Sequence, residues 1–214
     1  MRLEEIFIRE TVSTYFACSP NKILGIYLYG SRLYGTDSED SDWDFVVVVD
    51  GLVGDEYYKQ HETEEFDIHL MTLKHYNKLL LEHNIMALEC YYQQHPIMKC
   101  QVEFQMSLPL LRKSISSVVN NSWVKARKKM EIKDECSYIG LKSLFHSFRI
   151  LDFGIQIALM NTIHYQSANG LWIELKEQFK EDKSWETYYK NHKAQHNELM
   201  TQFRKAAPKE IKNV

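Results

Sequence analysis

Apolar and polar positions along this chain repeat with two different periods, and the change of period divides the chain. Residues 3 to 17 place Leu3, Ile6, Phe7, Val12 and Phe16 at helical spacing before Ser19-Pro20-Asn21 breaks the pattern. Residues 23 to 29, ILGIYLY, are apolar, β-branched and aromatic and end at Gly30, which predicts a buried strand. A polar, acidic loop is predicted from Arg32 to Ser41, where Gly35, Thr36, Asp37, Ser38 and Asp40 supply turn chemistry. Trp43 to Val49 resumes as a strand too apolar to face water on either side. Glu65 to Leu70 alternates, with Phe66, Ile68 and Leu70 on one face and Asp67 and His69 on the other.

From Thr72 the period becomes helical, through Leu73, Tyr76, Leu79, Leu80, Ile85, Leu88, Tyr91 and Tyr92, and stops before Pro96. After Pro109 only helices are predicted, over residues 109 to 130, 135 to 164 and 171 to 206, the last stopped by Pro208. The best boundary lies between Met98 and Pro109. The expected fold class is therefore α+β: a small mixed sheet flanked by helices over residues 1–105, then an all-helical half over residues 106–214.

Composition narrows the picture. A chain of 214 residues with 44% hydrophobic content can bury a core, so disorder is not expected. A formal net charge of −3 argues against a surface devoted wholly to polyanions and leaves room for a local basic patch. The first residues hold no uninterrupted apolar stretch and no 18 apolar residues run together, so neither a signal peptide nor a membrane span is expected, and a cytoplasmic location is. Cys18, Cys90, Cys100 and Cys136 lie far apart without a CxxC pair, which predicts reduced, packed thiols rather than disulfides or zinc.

The chemistry concentrates in YGSRLYGTDSEDSDWDF, residues 29 to 45. Gly30 ends a buried strand and Ser31 follows, so a sharply bending backbone can offer N–H groups and a hydroxyl to phosphate oxygens. Asp42 and Asp44, spaced i and i+2 at the head of the next strand, send two mutually repelling carboxylates from one face. Hard oxygen ligands in that arrangement suit Mg²⁺, with Mn²⁺ as a substitute. Asp67, on the polar side of the third strand, can complete a set holding two ions about 3.5 to 4 Å apart, one activating a hydroxyl and one stabilising a leaving pyrophosphate. Taken singly, Gly-Ser commonly marks an ordinary turn and Asp-x-Asp a solvated loop or a helix cap. The order of the parts is what is specific.

Gly30-Ser31 with Asp42-x-Asp44 resembles the signature of the DNA polymerase beta-like nucleotidyltransferase superfamily. Within it, GSRLYGTDSEDSDWDF is similar to the predicted nucleotidyltransferases associated with RNA repair pathways, whose motif reads GSR-x-YG followed by SD-x-D. The similarity continues through residues 67 to 92, including the run from Asn84 to Glu89, and more loosely into residues 138 to 152. The resemblance implies a mixed sheet flanked by helices, two metal ions on Asp42, Asp44 and Asp67, and nucleotide phosphates at Gly30-Ser31, beside Arg32. The acidic Asp37-x-Glu39-Asp40 and the short link from Val49 to Asp67 depart from the pattern.

The helical half adds weaker candidates. Lys142, His146 and Arg149 fall at i, i+4 and i+7 on one helix face. They read either as a solvated basic stripe or as a clamp over a triphosphate. Lys125, Arg127, Lys128 and Lys129 beside Trp123 form a basic run that is either a solvated helix face or a surface for a nucleic-acid backbone. His192 and His196 are at i, i+4 but lie in a polar segment without an HExxH pattern, so a metal role is not expected; His69 shares a strand face with Asp67 and borders the candidate site. Three functions compete: transfer of a nucleoside monophosphate from an NTP to a nucleic-acid end, above all RNA; the same transfer to a protein (AMPylation) or small molecule; and a module that binds nucleotide or nucleic acid without turnover. The intact set of repelling acids speaks against the last.

Overall fold

The computed structural model describes residues 3–51, 57–132 and 136–210, with side chains from residue 5 in the first segment and from residue 137 in the last. The chain forms two compact units, Met1–Gln105 and Met106–Val214. In the first, α1 (Leu3–Phe16) leads through a single 3-10 turn into β1 (Ile23–Tyr29). A short helix α2 (Gly30–Tyr34) follows, then β2 (Trp43–Val49), β3 (Tyr58–Glu62), β4 (Phe66–Thr72), α3 (Leu73–Leu81) and α4 (Ile85–Tyr92). The four strands are ordered β1-β2-β4-β3; β2 and β4 run parallel, and the outer pairs are antiparallel.

Register explains which residues are buried. Ile26 of β1, Phe45, Val47 and Val49 of β2, and Phe66, Ile68 and Leu70 of β4 share a core with Ile8, Val12 and Phe16 of α1. The opposite face carries Tyr27, Val46, Val48 and Met71 and is covered as well: Tyr76 of α3 is fully buried with its ring 6.2 Å from that of Tyr27. Val46 through Val49 have no exposed surface, and burial of each is worth about 1.5–3 kcal/mol. That two-sided burial is why the strand reads as a continuous apolar run.

Several expectations change. The loop expected from Arg32 begins with the helix α2, closed by Gly35 in the left-handed conformation (φ 66°). The link between Val49 and Asp67 is not featureless, because Tyr58–Glu62 pairs with β4 as an edge strand. The helical period from Thr72 belongs to two helices, interrupted where His83 takes a φ of 55° and Asn84 caps α4 by accepting from the Met86 N–H at 3.0 Å. The other sheet edge is covered where Ile26 and Met98 exchange backbone hydrogen bonds of 2.8 and 3.0 Å.

The second unit holds α5 (Leu108–Glu131), α6 (Cys136–Met160), α7 (Asn169–Glu181) and α8 (Trp185–Ala206) around a core including Met130, Leu144, Phe148, Trp172, Trp185 and Tyr188. The helix expected over residues 171 to 206 is two. Asp182 accepts from the Ser184 N–H at 2.7 Å, and Ser184 caps α8 by accepting from the Thr187 N–H at 3.4 Å, so local side-chain bonds replace the helical ladder there. Among the described residues no helix is long and apolar enough to cross a membrane. Cys18, Cys90 and Cys100 are free and buried; the side chain of Cys136 lies outside the described residues.

Candidate active site

The first unit brings the sequence candidates to one end of its sheet. Gly30 turns the chain out of β1 with a φ of +67°, and a Cβ built there would lie 1.7 Å from Asp44 Oδ2. The turn is therefore closed directly against a carboxylate, which only glycine permits. Ser31 follows inside α2, and its carbonyl accepts from the Thr36 N–H at 3.0 Å. Beneath α2, the Tyr34 hydroxyl donates to Glu89 Oε2 of α4 at 2.5 Å, and Glu89 is fully buried. Glu89 thus fixes the helix that carries Ser31, a role the sequence signalled only as an acidic residue on an otherwise apolar helix.

Arg32 has a different role from the phosphate contact expected of it. Its Nε donates to the Asp42 carbonyl at 3.1 Å, Nη2 donates to the Ser41 carbonyl, and Nη1 lies 3.5 Å from Asp37 Oδ2. The guanidinium also sits 4.3 Å from the centre of the Trp43 ring. These bonds engage its nitrogens with the loop that leads into β2, so Arg32 anchors Asp42 rather than presenting an open fork. Asp42 itself lies immediately before β2 and is half-buried.

Asp44 lies in register with Tyr29 on β1 and with Asp67 on the parallel strand β4. Two carboxylates thus sit on neighbouring strands and the same sheet face. Asp67 is 9% exposed. Its Oδ2 accepts from Gln60 Nε2 at 2.7 Å and lies 3.4 Å from His69 Nε2, whereas Oδ1 is buried without a hydrogen-bond partner. Burial lowers the His69 pKa, against the opposing pull of Asp67 and Glu62, and raises that of Tyr58, whose hydroxyl meets His69 Nδ1. Asp67 and His69 share the polar side of β4, yet the strand is buried on both faces apart from His69, which is half-buried. Gln60 and Tyr58 carried no sequence signal, since YKQHE lacks an apolar alternation.

A buried, unpartnered carboxylate oxygen costs free energy that a cation would recover. The donors present, all hard oxygens, fit Mg²⁺ or Mn²⁺ in kind. Among the described residues, however, no group of three or more histidine, cysteine, aspartate or glutamate side chains is gathered closely enough to hold an ion as it stands.

The candidates in the helical unit separate from one another. Lys142 is exposed, its ammonium 5.1 Å from the centre of the Tyr138 ring, whereas Arg149 is buried and donates from Nη2 to His146 Nδ1 at 2.9 Å. Burial, Arg149 and Lys125 push His146 down to about 3, which disfavours its cationic form. Lys125, Arg127 and Lys128 are exposed on α5, with Arg127 paired to Glu131 at 2.8 Å; Lys129 is half-buried. Trp123 is a packing residue, 4.1 Å from the ring of His196 and 5.4 Å from that of Trp185. His192 and His196 are not in a polar environment; both are buried, and His192 Nε2 bonds to Gln178 Oε1 at 2.9 Å.

Residues 10–96 match the family model described as Polymerase beta, Nucleotidyltransferase, a span that contains Gly30, Ser31, Asp42, Asp44 and Asp67. No protein of curated function matches the chain. Among solved structures, a nucleotidyltransferase-like protein from Exiguobacterium sibiricum 255-15 is similar, at 11% identity over 95% of this chain and 78% of that chain with a TM-score of 0.37. The family match supports the polymerase beta superfamily and a nucleotidyltransferase-type function.

Proposed function

We propose that this chain transfers a nucleoside monophosphate from an NTP to an acceptor hydroxyl, with release of pyrophosphate, and that the acceptor is an RNA end. The observation that carries the reading is the in-register pair Asp44 and Asp67, with the Gly30-Ser31 turn closed against Asp44. Asp42, Asp44 and Asp67 would hold divalent cations, which when bound neutralise phosphate charge and lower the pKa of the attacking hydroxyl. The protein's own part is positional. The Gly30 turn sets Asp44, Arg32 sets the backbone at Asp42, and Glu89 through Tyr34 sets the helix bearing Ser31, whose hydroxyl and neighbouring N–H groups orient nucleotide phosphates. RNA as acceptor rests on the resemblance of the motif to RNA-repair nucleotidyltransferases and on the exposed Lys125, Arg127 and Lys128.

Labelled NTP with Mg²⁺ and separate RNA, DNA and protein acceptors tests this directly. Label should appear on RNA, and Asp44→Asn should abolish transfer while leaving the melting temperature within a few degrees. Label on protein instead would assign AMPylation. Nucleotide binding without transfer to any acceptor would make the chain a binding module.

A further inference from the structure

Three side chains surround Asp67 without a role in the scheme above. Gln60, on the edge strand β3, donates to Asp67 Oδ2 at 2.7 Å. His69 Nε2 lies 3.4 Å from the same oxygen. The Tyr58 hydroxyl is 2.5 Å from His69 Nδ1, and the two rings are stacked with centroids 6.0 Å apart. Tyr29 packs edge-on against the imidazole at 6.3 Å. A neutral imidazole has one N–H. With the Tyr58 hydroxyl donating to Nδ1, that N–H is assigned to Nε2, where it faces Asp67.

Gln60 therefore donates to Oδ2, the His69 Nε2 faces the same oxygen at 3.4 Å, and neither reaches Oδ1, which is buried and unpartnered. Rotation about the carboxylate's last torsion is otherwise broad and interchanges the two oxygens. Occupying one of them selects the other. We propose that Gln60, together with His69 as fixed by Tyr58, are positioning residues that hold the Asp67 carboxylate with Oδ2 occupied and Oδ1 presented to a hard divalent cation on the sheet face shared with Asp44. This rests on the reading of Asp44 and Asp67 as metal-binding carboxylates. It gives β3, otherwise an exposed edge, a function: it carries two of the three groups that orient Asp67.

The test uses Mn²⁺ alone and Mn²⁺ with a non-hydrolysable NTP analogue, titrated into the full chain and followed by calorimetry and by the paramagnetic resonance of free Mn²⁺. The readout is binding, not turnover. Gln60→Ala and His69→Ala should each weaken Mn²⁺ about 10- to 100-fold, the usual effect of losing a group that orients a ligand. His69→Gln, which keeps an amide donor, should recover most of the loss, and Tyr58→Phe should fall between wild type and His69→Ala. Gln60 is exposed, so Gln60→Ala folds whatever becomes of the His69 variants. Thermal unfolding of each variant separates a structural role, which lowers the melting temperature and leaves the affinity of folded protein unchanged. If wild type binds Mn²⁺ and both alanine variants bind it equally well, the positioning role is overturned and the metal reading stands. If wild type binds no better than Asp44→Asn in either condition, the metal reading falls and this proposal with it.

Discussion

A methyl group at Gly30 meets two independent obstacles. The left-handed φ costs a residue other than glycine about 1–3 kcal/mol, and the added carbon would overlap Asp44 Oδ2 at 1.7 Å, so the carboxylate must leave its place. Gly30→Ala is therefore expected to lower the melting temperature and, on the proposed function, to lose transfer activity more than stability. Retained activity at wild-type level would show that the turn does not set Asp44. Arg32 offers a finer test, because its bonds go to the carbonyls of Ser41 and Asp42 rather than to open space. Arg32→Ala should reduce kcat about tenfold or more, the equivalent of one charge-assisted hydrogen bond at about 1.5–3 kcal/mol, with little change in NTP affinity. Equal loss in affinity with unchanged kcat would return Arg32 to the phosphates. In the helical unit, Lys142 and His146 should behave oppositely: Lys142 is exposed, so Lys142→Ala should leave the melting temperature unchanged, whereas His146→Ala, which removes the acceptor of the buried Arg149, should lower it. Thermal unfolding of both variants decides, and an equal loss in the two would contradict it.

Elements were legible in proportion to how far their burial wrote a pattern into the chain. β1 and β2 announced themselves as apolar runs because both of their faces are covered, and the i, i+2 spacing of Asp42 and Asp44 marked where β2 begins. β3 left no such trace: four of its five residues are exposed, and its polar side chains are explained only by what they touch across the sheet. The pairing of β3 with β4 is invisible to periodicity, so the bond from Gln60 to Asp67 could not be read beforehand, whereas the placing of His69 beside Asp67 and of Arg149 beside His146 follows from spacing along one strand and one helix. The split between α7 and α8 was readable in principle from Asp182-x-Ser184, a side-chain cap inside an apparently continuous helical period. Helix α2 was not, since five residues opening on Gly-Ser carry no periodic signal.

At the scale of the molecule, buried imidazoles give the helical unit a sensitivity to acid. His146 is pushed down to about 3 and His196 to about 4 from the usual 6.5, both chiefly by burial, and His192 is lowered as well. The unfolded chain binds protons at these sites that the folded chain refuses, so stability rises with pH across the window from about 3 to 6.5 and is lost as pH falls below 6.5. Denaturant unfolding followed by tryptophan fluorescence at pH 7, 5.5 and 4.5 should show that loss, and His196→Leu, which cannot ionise, should make the dependence shallower; a flat profile in wild type would contradict it. The sheet of the first unit has a different consequence, set by strand order. A ribosome delivers β1, β2 and β3 before β4, at about 5–20 residues per second, yet β4 belongs between β2 and β3. For a time on the order of seconds the nascent chain exposes the valine-rich inner edge of β2, and β3 waits without the strand it pairs with. Arrival of Phe66–Thr72 closes that edge and sets Asp67 beside Asp44 in one event, so a chain that can still recruit a foreign strand does not yet have its acidic pair, and a chain that has the pair can no longer be recruited there.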